Sequence, residues 1–599
     1  MATYGSLNFF ATFEICIIFT IMAEKLNIHS ERVDDIPLTL SELERMRVCQ
    51  LLDAHFPTHG NWEGLSLGSV TSIWLSHILS EADHRLNHVQ PWAEHRLETL
   101  SRCIGAPVRG LDFSDDRLGL ILDRLSEEDP WDDFECQLSR SLLRVYDLSG
   151  KVVRLDTTSA SGYWQVSEEG LFQLGHSKDH RPDLPQVKVM LSTLDPLGMA
   201  LCLEVVSGEQ ADDPLYLPAI DKVRRIFQTN GLLYVGDAKM AAQKTRATIV
   251  KNEDFYLCPL PELQMSKETL DAYLEPVWAG DQSLIPVYQE DGITAGEENP
   301  GEKIAEGFEV RHPMTVEIDE KTVTWSERLL IVCSLKLAQN AKVSLDKRLQ
   351  KAQEQLLQFN ERQQGRKRYR SREELHPGVE KILQKNQVKE MLIVEYQENG
   401  SRRPLRKYKD KAERFSDERE VIITVRVDDT AYQQTIRRFG WRVFATNVPE
   451  GDLPLSKAIL AYRDEFLVEH NFSRLKGKSL SLRPMYLQTE RRIVGLIRLL
   501  SIALRVLVLI EYQLRQQLAK QQTVLTGLYQ GNPKRATALP TTEQVLKAFQ
   551  YITLTIIHQQ DQTLYHLTEL NELQIRILKL LNFSVNIYTR LAAEFQKPG

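Results

Sequence analysis

Three carboxylates stand where a hard cation would be held. Asp156 closes the apolar run VVRLD and is followed by Thr157 and Thr158, and Asp237 closes a second run, LLYVGD. Glu469 lies in LPLSKAILAYRDEFLVEHNFSRLKG, whose spacing predicts one continuous helix. The chain has 82 acidic residues, so placement has to do the selecting. Both aspartates are expected at the carboxyl ends of strands, where ligands of open α/β sheets gather. At about 100° per residue, taking Tyr462 as the origin, Phe466 falls near 40°, Phe472 near 280° and Glu469 near 340°. Glu469 is therefore expected on the apolar, sheet-facing side, with Arg463, His470 and Arg474 together on another face. A carboxylate so placed is costly unless a cation compensates it. Three such oxygen donors suit Mg²⁺ or Mn²⁺. Two such ions serve phosphodiester displacement, one activating the attacking hydroxyl and one stabilising the leaving oxygen. On placement alone a plainer reading stands level: two turn-forming aspartates and a helical glutamate paired with Lys476.

Other residues with a stake in such chemistry are basic or aromatic. Lys178 and Arg181, in GHSKDHRPD, are candidates for contacts with DNA phosphates, the alternative being an exposed hairpin of mixed charge. His176 and His180 would be ligands only in a zinc site, and no Cys-x-x-Cys pair supplies one among the 7 scattered cysteines. Residues 362–372 carry 6 basic side chains, no acid and Tyr369, the best local candidate for tracking a nucleic-acid backbone. A net charge of −8 excludes a chain that is basic overall, so any such contact has to be local. Trp325 and Trp441 are candidates for stacking an unpaired base, although core packing is the commoner role, and Trp441 is expected in the core of a strand.

The elements that must position these residues fall into an ordered pattern. Residues 1–22 look like a non-native or disordered start, with Met22 a better beginning. Residues 23–145 read as helices, closing with the acidic run SEEDPWDDFE as a solvated loop. Residues 146–257 alternate short β-rich runs with helices, the first part of a catalytic α/β core. Residues 258–435 break that alternation as an inserted, β-rich domain. The core resumes over 436–483, and 484–599 is expected to be helical, with Thr541 and Gln544 as a capping box for VLKAFQYITLTII. Between residues 493 and 510 the chain is apolar enough to span a bilayer, but Arg498 and Arg505 would each cost about 2.5–3.5 kcal/mol there. A buried helix and a chain with no membrane partner are expected. The lack of a targeting signal points to the cytoplasm, beside the nucleoid.

Taken in order, LDTT, GHSKDHRPDLPQ, YVGDAKM and Tyr462…Glu469…Lys476 resemble the DDE transposases of bacterial insertion sequences. The nearer likeness is to the family usually numbered four, over roughly residues 35–580. That family's last motif is Tyr, Arg, Glu, Lys; Tyr462, Glu469 and Lys476 fall in register, and Glu465 occupies the Arg position. The resemblance implies a ribonuclease-H-like mixed α/β sheet split by a β-rich insertion, with helical regions before and after. It implies that Asp156, Asp237 and Glu469 hold two Mg²⁺ (or Mn²⁺) ions, while Tyr462, Lys476, Lys178 and Arg181 position DNA phosphates. It further implies cleavage at terminal inverted repeats, strand transfer to target DNA, and a homodimer on that DNA. A decayed or domesticated DNA-binding protein is the alternative kept open by Glu465.

Overall fold

The computed structural model describes residues 27–593 except 59, 61, 290–300, 362–368, 405–414 and 560–561. The expected non-native start and most of the basic run lie outside the described residues. The fold is mixed α/β, and the chain divides into two compact units. One comprises the residues up to Phe255 together with those from Asp464 onward; the other is Tyr256–Arg463.

The first unit is built on strands in the order Met199–Ser207, Gln186–Leu194, Val152–Ser161, Leu233–Gly236. The first three pair antiparallel and the last pair runs parallel, with Leu155 opposite Gly236. The strand Gln186–Leu194 is buried at every position, including Gln186, Lys188, Ser192 and Thr193 among its apolar residues. Across this sheet region packs the helix Glu490–Gln521, whose most apolar window is 94% buried. Arg498 and Arg505 are buried with it and paired inside the protein, although Arg498 Nε has no hydrogen-bond partner. Arg505 pairs with Glu135 at 2.8 Å and donates to the carbonyls of Ala200 and Leu201. Arg498 donates to the carbonyls of Leu125 and Glu127 and pairs with Glu128.

Several expectations are corrected here. The acidic run is no loop: Glu128–Val145 is a helix that buries Trp131, Phe134, Glu135 and Leu138 on one face. Glu128 and Asp129 sit in its first turn, where negative charge is favoured by the helix dipole. The segment read as one helix from Thr541 stops after Lys547, and Thr541 makes no side-chain cap. Thr553–Gln559 is instead a strand, paired with Gln562–Leu567 and with Asn27–Arg32. The β-branched run ITLTII favours a pleated surface over a helix. Neither 23–145 nor 484–599 is therefore purely helical.

The second unit carries antiparallel strands in the order Phe255–Pro259, Trp441–Thr446, Lys321–Ser334, Lys303–Ile318, Ile285–Tyr288. It also holds the helices Leu335–Leu357 and Arg372–Lys385 and the hairpin Leu392–Pro404/Phe415–Val427. These enclose their own apolar core, including Leu345, Leu349, Leu356, Leu375, Val379 and Ile423. Trp441 lies in its expected strand but is half-buried rather than enclosed, its ring edge-on to Phe308 at 6.4 Å.

Candidate active site

The parallel pairing of Val152–Ser161 with Leu233–Gly236 brings the two aspartates together. Its last matched residues are Leu155 and Gly236, so Asp156 and Asp237 each stand one residue beyond. Asp156 does not end its strand, as the sequence suggested, because pairing with Gln186–Leu194 carries the strand on to Ser161. It stands where the parallel neighbour stops, which is what opens space beside it.

Both carboxylates are held. Asp237 Oδ1 accepts from the Tyr216 hydroxyl at 2.6 Å and from the Lys239 amide at 2.8 Å. Tyr216 is buried, and burial, then the Asp237 charge, hold its phenol protonated far above the ordinary range. Its ring approaches closely because residue 236 is glycine; a Cβ there would lie 3.1 Å from Tyr216 Cε1 and 2.8 Å from Met240 Sδ. Asp156 Oδ1 accepts from Lys178 Nζ at 3.1 Å and from the Thr157 amide at 2.7 Å. Burial raises the Asp156 carboxyl, Lys178 opposes that rise, and the neighbouring Asp237 charge adds to it.

The glutamates reach the site from a helix that begins later than expected. The predicted single helix is two, Leu455–Arg463 and Phe466–Lys476, separated by a turn at Asp464 and Glu465. The wheel centred on Tyr462 therefore does not carry through the break. In the second helix the buried side chains are Val468, Asn471, Phe472, Arg474 and Leu475. Glu469 is exposed at the edge of that face, Phe466 is 58% exposed, and Arg474 is buried against Glu511 and Glu543. Glu465, at the helix start, is half-buried. Burial, then the charges of Asp156, Glu469 and Asp237, push its carboxyl up. Glu465 thus faces three further carboxylates at this end of the sheet.

Basic side chains border them. Lys476 Nζ donates to Thr158 Oγ1 at 2.7 Å and pairs with Asp179 Oδ1 at 2.8 Å. It is not the partner of Glu469, which removes the plainer reading of that pair. Arg483 also pairs with Asp179. The loop carrying Lys178 is pinned rather than merely solvated: the Lys178 amide donates to Ser159 Oγ and its ammonium to the Thr157 carbonyl. Arg181 points to Asp183 at 2.7 Å, an exposed pair. Arg154, two residues before Asp156, forms a buried pair with Asp195 at 2.7 Å. In the second unit, Tyr462 packs edge-on to Phe444 at 4.8 Å. Trp325 donates from Nε1 to the Tyr256 hydroxyl, which donates to Glu327.

The donors are all carboxylate oxygens, the chemistry that suits Mg²⁺ or Mn²⁺. Among the described residues, however, no three His, Cys, Asp or Glu side chains are gathered tightly enough to hold a metal ion. Lys178 supplies the positive charge at Asp156. Sequence reasoning missed Tyr216 and Asp179; nothing in ADDPLYLPAI or SKDHRPD marks which polar residue will face a strand end.

No protein-family model matches the chain, and no curated protein matches it. One similar solved structure is the cryo-EM structure of the piggyBac transposase synaptic complex with hairpin DNA. The likeness is at 8% identity and a TM-score of 0.25, covering 51% of this chain and 60% of that one. The chain spans about three fifths of that relative's length, and a likeness of this degree carries no argument.

Proposed function

We propose that this chain is a DDE-type transposase with a ribonuclease-H-like catalytic region, which cleaves DNA strands at terminal inverted repeats and joins the freed 3′ hydroxyls to target DNA. The observation supporting it most is the pairing register that ends at Leu155 and Gly236, leaving Asp156 and Asp237 side by side with Glu465 and Glu469 in charge range. Like charges gathered in this way are relieved by a bound cation.

In this reading Asp156, Asp237 and Glu469 are the ligands of two Mg²⁺ (or Mn²⁺) ions, with Glu465 as a fourth oxygen donor. Bound there, the ions supply activation of a hydroxyl and charge stabilisation on the leaving oxygen. Tyr216 fixes the rotamer of Asp237 through its hydrogen bond. Lys178, paired with Asp156, and Lys476, held over Thr158, would be the cations that meet DNA phosphates. Arg181 completes the phosphate contacts of this unit. The partners are the element's terminal repeats and target DNA, handled by two copies of the chain on the DNA, in the cytoplasm beside the nucleoid.

A DNA-binding protein that has lost catalysis is favoured by one observation, the absence of a gathered metal-holding trio among the described residues. Cleavage of a labelled duplex bearing the terminal repeat, with Mg²⁺ or EDTA, separates the two. Metal-dependent nicking at the repeat boundary, lost in Asp156→Ala, Asp237→Ala and Glu469→Gln, is expected. Tight repeat binding without nicking would establish the second reading.

A further inference from the structure

A cavity of about 320 Å³ in the first unit lies where segments distant in sequence meet: residues 32–35, 79–82, 478–479 and 543–550. Its volume is at the lower end of the roughly 300–1,000 Å³ of small-ligand sites. Leu79, Leu507 and Leu546 give it a buried apolar wall, while Lys478 and Lys547 stand exposed at its rim.

The polar lining sorts into committed and uncommitted groups. Asp34 takes Arg32 at 2.7 Å and the Tyr551 amide at 2.8 Å. Glu543 takes Arg474 at 3.0 Å and the Ser479 hydroxyl at 2.9 Å. Glu81 lies 3.7 Å from Arg96. Lys478 and Lys547, by contrast, have no ion pair among the described residues, so two positive charges at the rim are unanswered. Asp35 is uncommitted in the opposite sense. It stands at the N-cap of the helix Ile36–Arg45, where an aspartate ordinarily accepts from a first-turn amide, yet its side chain makes no such bond. One carboxyl oxygen accepts from the Ser80 hydroxyl, and the other has no partner although the residue is only 4% exposed. A buried acceptor left unmet calls for a donor.

A ligand that answers these groups carries an anion at one end, an N–H donor at the other and an apolar body between. A metal ion answers neither lysine, and among the described residues no three His, Cys, Asp or Glu side chains are gathered to hold one. An inorganic anion would serve the lysines and leave Asp35 unmet. A nucleotide has all three parts in its phosphate, its flat ring faces and its base N–H groups. We propose that this cavity binds a free nucleoside monophosphate, its phosphate held by Lys478 and Lys547 at the rim and a base N–H donated to Asp35 within. The inference goes beyond the transposase reading, since none of Asp156, Asp237, Glu465 and Glu469 takes part.

The test is calorimetric titration of the full chain with guanosine monophosphate, ribose 5-phosphate and a 5′-phosphorylated oligonucleotide. Guanosine monophosphate is expected to bind roughly tenfold or more tightly than ribose 5-phosphate, the difference made by a hydrogen bond to a carboxylate. Lys478→Glu/Lys547→Glu is expected to weaken both roughly tenfold or more, because charge-assisted contacts to phosphate are lost. Asp35→Leu is expected to bring guanosine monophosphate down to the level of ribose 5-phosphate. Should that variant not fold, the wild-type comparison of the two ligands decides by itself. Equal affinity for the two in wild type would overturn the proposal, as would guanosine monophosphate binding unchanged in the lysine variant. So would no binding at millimolar nucleotide, or binding of the oligonucleotide in its place. Each of these results leaves terminal-repeat cleavage, and with it the transposase reading, untouched.

Discussion

Two groups of charges in the first unit are handled in opposite ways. The arginines of the long core helix and its neighbour each meet acids or carbonyls: Arg505 with Glu135, Arg498 with Glu128, Arg474 with Glu511 and Glu543. At the strand ends, Glu465 lies near the charges of Asp156, Asp237 and Glu469, and Lys178 is the cation drawn to Asp156. The core arginines thus face acids placed to neutralise them, whereas the strand-end carboxylates face more acids than bases. Asp35 shows a third treatment. It is buried with one oxygen lacking a hydrogen-bond partner, and burial pushes its carboxyl up to about 7.

The largest expected effect is at a paired charge. Arg505→Ala strands Glu135 in the core and should cost about 3–5 kcal/mol in denaturant unfolding. Arg505→Met combined with Glu135→Leu should recover most of that loss; if it does not, the pair contributes more than mutual neutralisation. Next comes Asp35. Its folded-state pKa lies above the unfolded value, so its contribution is fully present at about pH 4 and lost as pH rises through about 7. Stability should fall by a few kcal/mol across that window and then level, and Asp35→Asn should flatten the profile. A wild-type profile without that fall would show Asp35 ionised at little cost.

Smaller effects sharpen the contrast at the site. Tyr216→Phe removes a hydrogen bond to a carboxylate and should cost about 1.5–3 kcal/mol, while slowing cleavage by freeing Asp237. Glu465→Gln relieves repulsion and should leave stability unchanged or raise it by up to about 1 kcal/mol. A clear loss of stability there would mean that the cluster is structural after all.

Much of this was legible in the chain, and the failures have physical causes. The apolar β-rich runs VVRLD and LLYVGD announced two strands, but not that the first continues past Asp156 to Ser161. Glu469 was singled out by a motif, and the burial expected of it is not met. A helical wheel assumes an unbroken helix, and a turn at Asp464 and Glu465 resets the phase. The acidic helix from Glu128 was taken for a loop because charge masked the spacing of Trp131, Phe134 and Leu138. The strand Thr553–Gln559 was missed because its partner strands, Asn27–Arg32 and Gln562–Leu567, include one more than 500 residues away in sequence. Tyr216 was not legible, because its contact with Asp237 depends on how a helix packs across a glycine.

The most direct test of the central claim replaces an oxygen donor with a soft one. Asp237→Cys should abolish cleavage of the terminal-repeat duplex in Mg²⁺ and regain it in part when Mn²⁺ is supplied, because thiolate accepts the softer ion more readily. That switch would make Asp237 a ligand of the catalytic cation. Cleavage by Asp237→Cys in Mg²⁺ at the wild-type rate would contradict the account, leaving Asp237 a turn residue held by Tyr216.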